Sequence, residues 1–124
     1  MIGPIPSEFG KLRGLQYLLV YSNKLTGTIP TEFGSLTRLL DLSMDRNAFV
    51  GSLPTEIGSL ILTEKIALNA NSLTGSIPSD IGSLFSLLEF DAGGNEFIGK
   101  IPTEVGKLFS LEIFRLEENK LRCV

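Results

Sequence analysis

The chain has 124 residues, 43% of them apolar and 20% charged, with a net charge of −3, one cysteine and no histidine. The length indicates one domain, and the apolar fraction excludes intrinsic disorder. The lack of histidine excludes a Ser-His-Asp triad, a lone cysteine excludes an internal disulfide framework, and the acidic balance argues against binding to nucleic-acid phosphates. Because no apolar run is long enough for a transmembrane helix, we expect no direct membrane insertion from this segment.

An internal repeat runs through the whole chain without an insertion. We expect a single array that begins with a partial repeat at 1–11, continues with repeats at about 12–35, 36–59, 60–83 and 84–107, and ends with a partial repeat at 108–124. Asparagine keeps the register with a constant step of 24 residues, at Asn23, Asn47, Asn71, Asn95 and Asn119.

The first element predicted in each full repeat is a short strand. Its apolar positions lie five and three residues before the asparagine, as at Leu18 and Val20. Positions spaced by two face the same way on a strand, so we expect both columns in a core shared between stacked repeats. Further leucine columns lie eleven and eight residues before the asparagine. In the second of these, Thr63 is the one polar residue, and we expect its neighbour Leu62 to fill part of that place.

A tight turn is predicted after each strand. An asparagine side chain carries a donor and an acceptor, so we expect the five asparagines to satisfy backbone groups of this turn and to form a ladder along the array. Loss of one asparagine is expected to leave buried polar groups unpaired, at about 1–3 kcal/mol. The glycine four residues later, as at Gly27, suits a left-handed backbone.

A short helix, of the 3₁₀ type, is predicted last in each repeat, where the string Pro-Ser/Thr-Glu/Asp recurs. We expect the hydroxyl residue to cap the helix, the acid to lie at its positive end, and the following glycine to limit it to about one turn. The acids are therefore interpreted as structural rather than catalytic. They are Glu8, Glu32, Glu56, Asp80 and Glu104.

The repeat L-x-x-L-x-x-L-x-L-x-x-N-x-L-x-G-x-I-P-x-x-[FIV]-G-x-L resembles the plant-specific class of leucine-rich repeat, and residues 15–36 are a nearly perfect copy. The Pro-Thr-Glu-Ile-Gly variant is also similar to repeats of diatoms. The resemblance implies an α/β leucine-rich-repeat solenoid, a curved right-handed coil of about five 24-residue repeats with a parallel β-sheet on the concave side and short 3₁₀ helices on the convex side. It also implies the binding roles of receptor-kinase ectodomains, receptor-like proteins and polygalacturonase inhibitors.

The sequence departs from that family at both ends. Family ectodomains usually carry a signal peptide and paired-cysteine caps, whereas this chain has neither, and Cys123 occupies the glycine column. Three alternatives stay open: the chain is a fragment, a short gene product, or an array whose ends pack on something else. Because uncapped ends expose the core, end-to-end self-association is one form of the third alternative. For a receptor fragment, the resemblance favours the extracellular face of the plasma membrane.

Strand positions six, four and two residues before each asparagine are expected on the exposed concave face. These columns vary in type, which fits a ligand-binding surface and also a solvated surface under neutral drift. The first strand offers an apolar and aromatic patch, either a partner anchor or a surface that a preceding repeat would cover. Several carboxylates make the middle acidic, which favours a basic or polar partner. The predicted ligand-binding residues are Tyr17, Leu19, Tyr21, Asp41, Asp45, Lys65, Asn69, Glu89, Asp91 and Arg115.

The function predicted from these features is a non-catalytic protein- or peptide-binding module in recognition or signalling, which reads its partner on the concave face. No catalytic residue, metal ligand, cofactor or nucleic-acid partner is expected. Two alternatives stay open. One is an inhibitor of a cell-wall glycosidase, by resemblance to the polygalacturonase inhibitors, and the other is a structural fragment of a larger leucine-rich-repeat receptor.

Overall fold

The computed structural model describes residues 1–122, so Cys123 lies outside the described part. Eleven strands and five 3₁₀ helices lie within these residues. The strands are β1 Ile2–Pro4, β2 Tyr17–Leu19, β3 Lys24–Thr26, β4 Asp41–Ser43, β5 Val50–Ser52, β6 Lys65–Ala67, β7 Ser72–Thr74, β8 Glu89–Asp91, β9 Ile98–Gly99, β10 Ile113–Arg115 and β11 Lys120–Leu121. The helices are Ser7–Lys11, Thr31–Ser35, Thr55–Ser59, Ser79–Ser83 and Thr103–Lys107.

One parallel sheet holds the strands predicted from the apolar columns. Strands β2, β4, β6, β8 and β10 lie side by side in this order, and we call them the concave sheet. Residues 24 positions apart are paired, so that Leu42 lies between Leu18 and Ile66. The α/β leucine-rich-repeat solenoid predicted from the sequence is confirmed.

Three short parallel pairs were not predicted. They join β1 to β3, β5 to β7 and β9 to β11, in the segments between the asparagine turns and the helices. Gly27, Gly51 and Gly75 have φ of +80°, +80° and +75° there, the left-handed backbone expected of that column. Within the described residues, no helix has the length and apolar character needed to cross a bilayer.

The core lies between the concave sheet and the helices, and it is shared along the array. In the central repeats the apolar side chains are covered by the repeats on both sides, so that Phe49 and Phe90 have no exposed surface. The equivalent residues near the C-terminal end, Leu121 and Phe114, are only partly buried. Stability therefore depends on contacts between repeats rather than within one.

The predicted filling of the Thr63 column by Leu62 is wrong. Thr63 itself is fully buried, and its hydroxyl donates a hydrogen bond of 2.8 Å to the carbonyl oxygen of Leu39. Leu62 is 47% exposed instead. A threonine is tolerated in this apolar column because the adjacent repeat supplies an acceptor for its hydroxyl.

This arrangement predicts that the stability of the protein depends strongly on Thr63 and only weakly on Leu62. Replacing Thr63 with valine keeps the side-chain shape but removes the hydrogen bond to Leu39, so we expect the free energy of unfolding to fall by about 1–2 kcal/mol. Replacing Leu62 with alanine is expected to change it by less than about 0.5 kcal/mol. Urea unfolding followed by circular dichroism measures both, and a larger loss in the Leu62 variant would contradict the assignment.

The predicted helix cap is also wrong. Pro54 occupies the cap position with φ −68° and ψ 144°, and no side-chain hydrogen bond caps the helix. Thr55 is already the first helical residue, one position too late to cap, and its hydroxyl lies 3.3 Å from the carboxylate of Glu56. Proline suits the cap position because its ring fixes φ near the observed value, and its carbonyl oxygen accepts a hydrogen bond of 3.1 Å from the amide of Ile57.

The glycine in each helix has a different role from the one predicted. Gly58 lies inside Thr55–Ser59 rather than after it, so it does not end the helix. A Cβ atom at Gly58 would lie 2.6 Å from the backbone oxygen of Asp80 in the next repeat. The glycine column therefore allows neighbouring helices to approach each other closely.

Candidate functional site

The outward-facing positions of the concave sheet bring most of the predicted ligand-binding residues together. Tyr17, Asp41, Lys65 and Glu89 are paired in register across four strands. Leu19 and Asp91 belong to the next outward-facing column of paired residues, and Arg115 on β10 is the last residue of that column. The sheet register thus places residues that are distant in the sequence on one continuous surface.

An apolar and aromatic patch lies at the β2 end of this surface. Tyr17, Leu19 and Tyr21 are 56%, 50% and 48% exposed. Half-exposed tyrosines combine a large apolar ring with a hydroxyl group, the combination that is enriched at the centres of protein interfaces. We call these three residues the aromatic patch.

Four positions predicted as exposed are in fact buried, Gly93 being one of them, and this corrects the expectation for Asp45. Its exposure is 8%, and those of Ser43 and Ala67 are 3% and 5%. These short side chains lie below the level of longer neighbours, and the guanidinium of Arg46 approaches Asp45 to 3.1 Å. Asp45 still lines a shallow hollow of about 400 Å³, together with Leu19, Tyr21, Asp41, Ser43, Arg46 and Lys65.

The charges in the middle of the surface are largely arranged in pairs. Lys65 lies 3.6 Å from Glu89, and Arg115 lies 4.0 Å from Asp91, in each case across neighbouring strands. The hydroxyl of Ser43 donates a hydrogen bond of 2.6 Å to Asp41. The cationic members are about half exposed and the carboxylates less so, and surface ion pairs of this kind add little stability.

A second hollow, of about 200 Å³, lies at the β10 end. Gly93 forms its floor, and its amide donates a hydrogen bond of 3.0 Å to the carboxylate of Asp91. Asn69, Asp91 and Glu117 border the hollow, and so does Glu118, which the sequence analysis missed.

Arg46 and Glu118 were missed because they occupy the position just before the asparagine. Both have a left-handed backbone, with φ of +56° and +59°. The glycine at the equivalent position, Gly94, with φ of +63°, is the sequence signal that could have indicated this backbone.

The five asparagines hold the turns that follow the concave strands. The side-chain amide of Asn71 donates to the carbonyl oxygens of Leu68 and of Met44, each at 3.1 Å. Its side-chain oxygen accepts from the amide of Phe49 at 3.0 Å. Met44 and Phe49 belong to the preceding repeat. Asn47, Asn95 and Asn119 make equivalent bonds, whereas Asn23 accepts from the amino group of Met1.

The concave surface carries two hollows, and both are open to solvent. Within residues 1–122, no group of three or more His, Cys, Asp and Glu side chains is arranged to hold a metal ion. Charged, polar and apolar side chains line the larger hollow, and polar groups and short side chains line the one over Gly93. Such a surface can contact an extended partner along several strands.

Comparisons with known proteins agree with this architecture. The profile of the Leucine Rich Repeat family matches residues 14–36. A search of curated proteins gives no match.

Solved structures give strong matches. The ectodomain of the plant membrane receptor kinase GASSHO1/SCHENGEN3 from Arabidopsis thaliana, in complex with Casparian Strip Integrity Factor 2, is 36% identical, with a TM-score of 0.95 over 97% of this chain and 14% of that one. The Arabidopsis receptor kinase HAESA, in complex with the peptide hormone IDA and the co-receptor SERK1, is also 36% identical, with a TM-score of 0.94 over 97% of this chain and 20% of that one. The BIR3–SERK2 complex from Arabidopsis thaliana gives 31% identity and a TM-score of 0.84 over 98% and 64%.

The chain thus spans between 14% and 20% of the two large ectodomains and matches them over nearly all of its own length. All three matches exceed 30% identity and cover nearly all of this chain. The chain belongs to the plant-type leucine-rich-repeat proteins.

Proposed function

We propose that the chain is a non-catalytic protein- or peptide-binding module that contacts its partner on the concave sheet. The observation that carries the proposal is a contrast within the same strands. Inward positions stay apolar from Leu18 to Phe90, whereas the outward positions beside them change from Tyr17 to Asp41 to Lys65. The scaffold fixes the first set, and the second set is free to match a partner.

The related ectodomains support this proposal. GASSHO1/SCHENGEN3 was crystallised in complex with Casparian Strip Integrity Factor 2, and HAESA with the peptide hormone IDA and the co-receptor SERK1. Both are receptor kinases, and the first is described as a plant membrane receptor kinase. We accordingly propose recognition or signalling at the extracellular face of the plasma membrane as the setting in which this chain works.

The proposal predicts that binding depends on the concave sheet. Binders would be selected from random dodecapeptides displayed on phage, and their affinities measured by biolayer interferometry. Replacing Tyr17 or Tyr21 with alanine is expected to weaken binding by about tenfold or more, because each removes an exposed aromatic contact. Asp91→Asn, which keeps the acceptor for the Gly93 amide, is expected to weaken it by a smaller factor.

Matched changes on other faces provide the controls. Phe85 is 59% exposed and Glu56 is exposed at a helix start, so Phe85→Ala and Glu56→Gln remove similar groups outside the concave sheet. Neither is expected to change the affinity. If the three concave variants bind as well as the unmodified protein, the concave sheet is not the binding surface.

A further inference from the structure

The outward surface of the concave sheet changes its chemistry along the array. At β2 the exposed side chains are those of the aromatic patch, and none of them is charged. From β8 onward the surface carries Asp91, Arg115 and Glu117. A ligand that crosses the strands therefore meets an apolar region at one end and a charged region at the other.

The charge at the second end is not balanced. Lys65 is matched by Glu89, and Arg115 by Asp91, at 3.6 and 4.0 Å. Glu117 and Glu118 are both exposed, and neither has a cationic group within 4.0 Å among residues 1–122. This end of the surface therefore has an excess of negative charge that a basic group can complement.

The hollow over Gly93 gives a basic side chain a place to enter. Because Gly93 has no side chain, about 200 Å³ stays open between Asn69 and the carboxylates. A Cβ atom at Gly93 would lie 3.3 Å from the carboxylate of Asp91 and 3.5 Å from the carboxylate carbon of Glu117. The carboxylates of Asp91 and Glu117 therefore lie close to each other at this hollow.

The distance between the two ends fixes the spacing that a ligand needs. Three strand steps separate β2 from β8, and at about 4.8 Å per step they span about 14 Å. An extended peptide rises by about 3.3 Å per residue, so about four to five residues cover this distance.

We propose that the concave sheet takes an extended peptide with an aromatic or aliphatic side chain on the aromatic patch and an arginine or lysine four to five residues away in the hollow over Gly93. This inference rests on the proposed function and names the chemistry of its partner. The apolar residue packs against Tyr17, Leu19 and Tyr21. The basic residue pairs with Glu117 beside the Asp91–Arg115 pair, while Glu118 adds to the attraction at longer range.

The test is the composition of the random dodecapeptides selected on phage by the protein and by a charge-reversed variant. The unmodified protein is expected to enrich peptides that carry Lys or Arg four to five residues from an apolar residue. Glu117→Lys combined with Glu118→Lys is expected to shift the enrichment to Asp and Glu. A synthetic peptide from the first selection is expected to bind that variant about tenfold more weakly, and to lose affinity as salt shortens the screening length from about 30 Å to about 10 Å.

Glu32→Lys combined with Glu56→Lys makes the same change of charge on the helices and controls for net charge. It is expected to leave the selected composition unchanged, and circular dichroism would show that both double variants are folded. Selection of peptides without a basic preference, still sensitive to Tyr17→Ala, would overturn this inference and leave the proposed function intact. Recovery of no peptide sensitive to the concave variants would overturn both.

Discussion

Replacing Asn71 with alanine is expected to lower the free energy of unfolding by about 3 kcal/mol. The substitution removes the acceptor of the Phe49 amide, which belongs to a residue with no exposed surface. The carbonyls of Met44 and Leu68 keep one donor each, from Asn47 and Asn95. Most of the loss in unfolding free energy, about 1–3 kcal/mol, therefore comes from the buried Phe49 amide, which is left without an acceptor. Weaker hydrogen bonding of the two carbonyls adds the rest.

Two controls separate this effect from a general sensitivity to losing asparagine. Asn69 lies two residues earlier, and its side chain makes no hydrogen bond among residues 1–122, so Asn69→Ala is expected to cost less than about 0.5 kcal/mol. Asn119→Ala removes equivalent hydrogen bonds near the C-terminal end. There the last repeat can unfold by itself, so the fall in unfolding free energy is no larger than the free energy of that local unfolding. Urea unfolding of the three variants gives the order, and equal effects at Asn71 and Asn119 would contradict the account of the ladder.

Replacing Gly58 with alanine is expected to cost about 2–3 kcal/mol. The added Cβ would lie 2.6 Å from the backbone oxygen and 3.0 Å from the Cβ of Asp80, which belong to the adjacent helix. Neither atom is the end of a flexible side chain, so the two helices must move apart and disturb the packing beneath them. Overpacking of this kind typically costs about 1–3 kcal/mol.

Gly106 offers a control with the same place in its repeat. A Cβ there meets nothing within 4 Å, because no described helix stacks on Thr103–Lys107 from that side. Gly106→Ala is therefore expected to be neutral, or slightly stabilising through the lower flexibility of the unfolded chain. Thermal unfolding by differential scanning calorimetry compares the two variants. A similar fall in the melting temperature for both would show that the glycines act within their own helix.

The sequence allowed the fold to be predicted in detail because position in the repeat determines burial. The repeat position of Leu42 is apolar in every repeat. The residues at this position in the two adjacent repeats, Leu18 and Ile66, pair with Leu42 in the concave sheet. A constant step without insertions leaves one register in which all apolar columns coincide. The strands of the concave sheet, the helices and their order followed from that register, whereas the three short parallel pairs did not.

The errors arose where one pattern has two physical explanations. The recurrence of glycine at Gly58 fits a helix end and a close contact equally well, and only the distance to Asp80 distinguishes them. Likewise, Thr55 follows a proline that already caps the helix. The sequence of one repeat does not show which atoms of the adjacent repeat it contacts. The sequence could therefore identify a recurring glycine or threonine position but not the residue that this position contacts.

The candidate surface was predictable only in part. Its columns followed from alternation along the strand, which placed Tyr17 and Lys65 on the outward face. Exposure within a column depends on the sizes of the side chains around each residue, and this is why Asp45 was misjudged. The hollow over Gly93 depends on a missing side chain and on the left-handed turn beside it, which alternation does not reveal.

After each of the first four concave strands, a carbonyl accepts from the asparagine of its own repeat and from that of the next, as the Leu68 oxygen does from Asn71 and Asn95. Every such junction is built from the same groups at the same separation along the chain. A duplication or deletion of 24 codons in phase would therefore remake each broken junction with an identical partner. Array length and surface chemistry can consequently change by separate genetic events, the first by recombination between repeats and the second by point mutation of the outward columns.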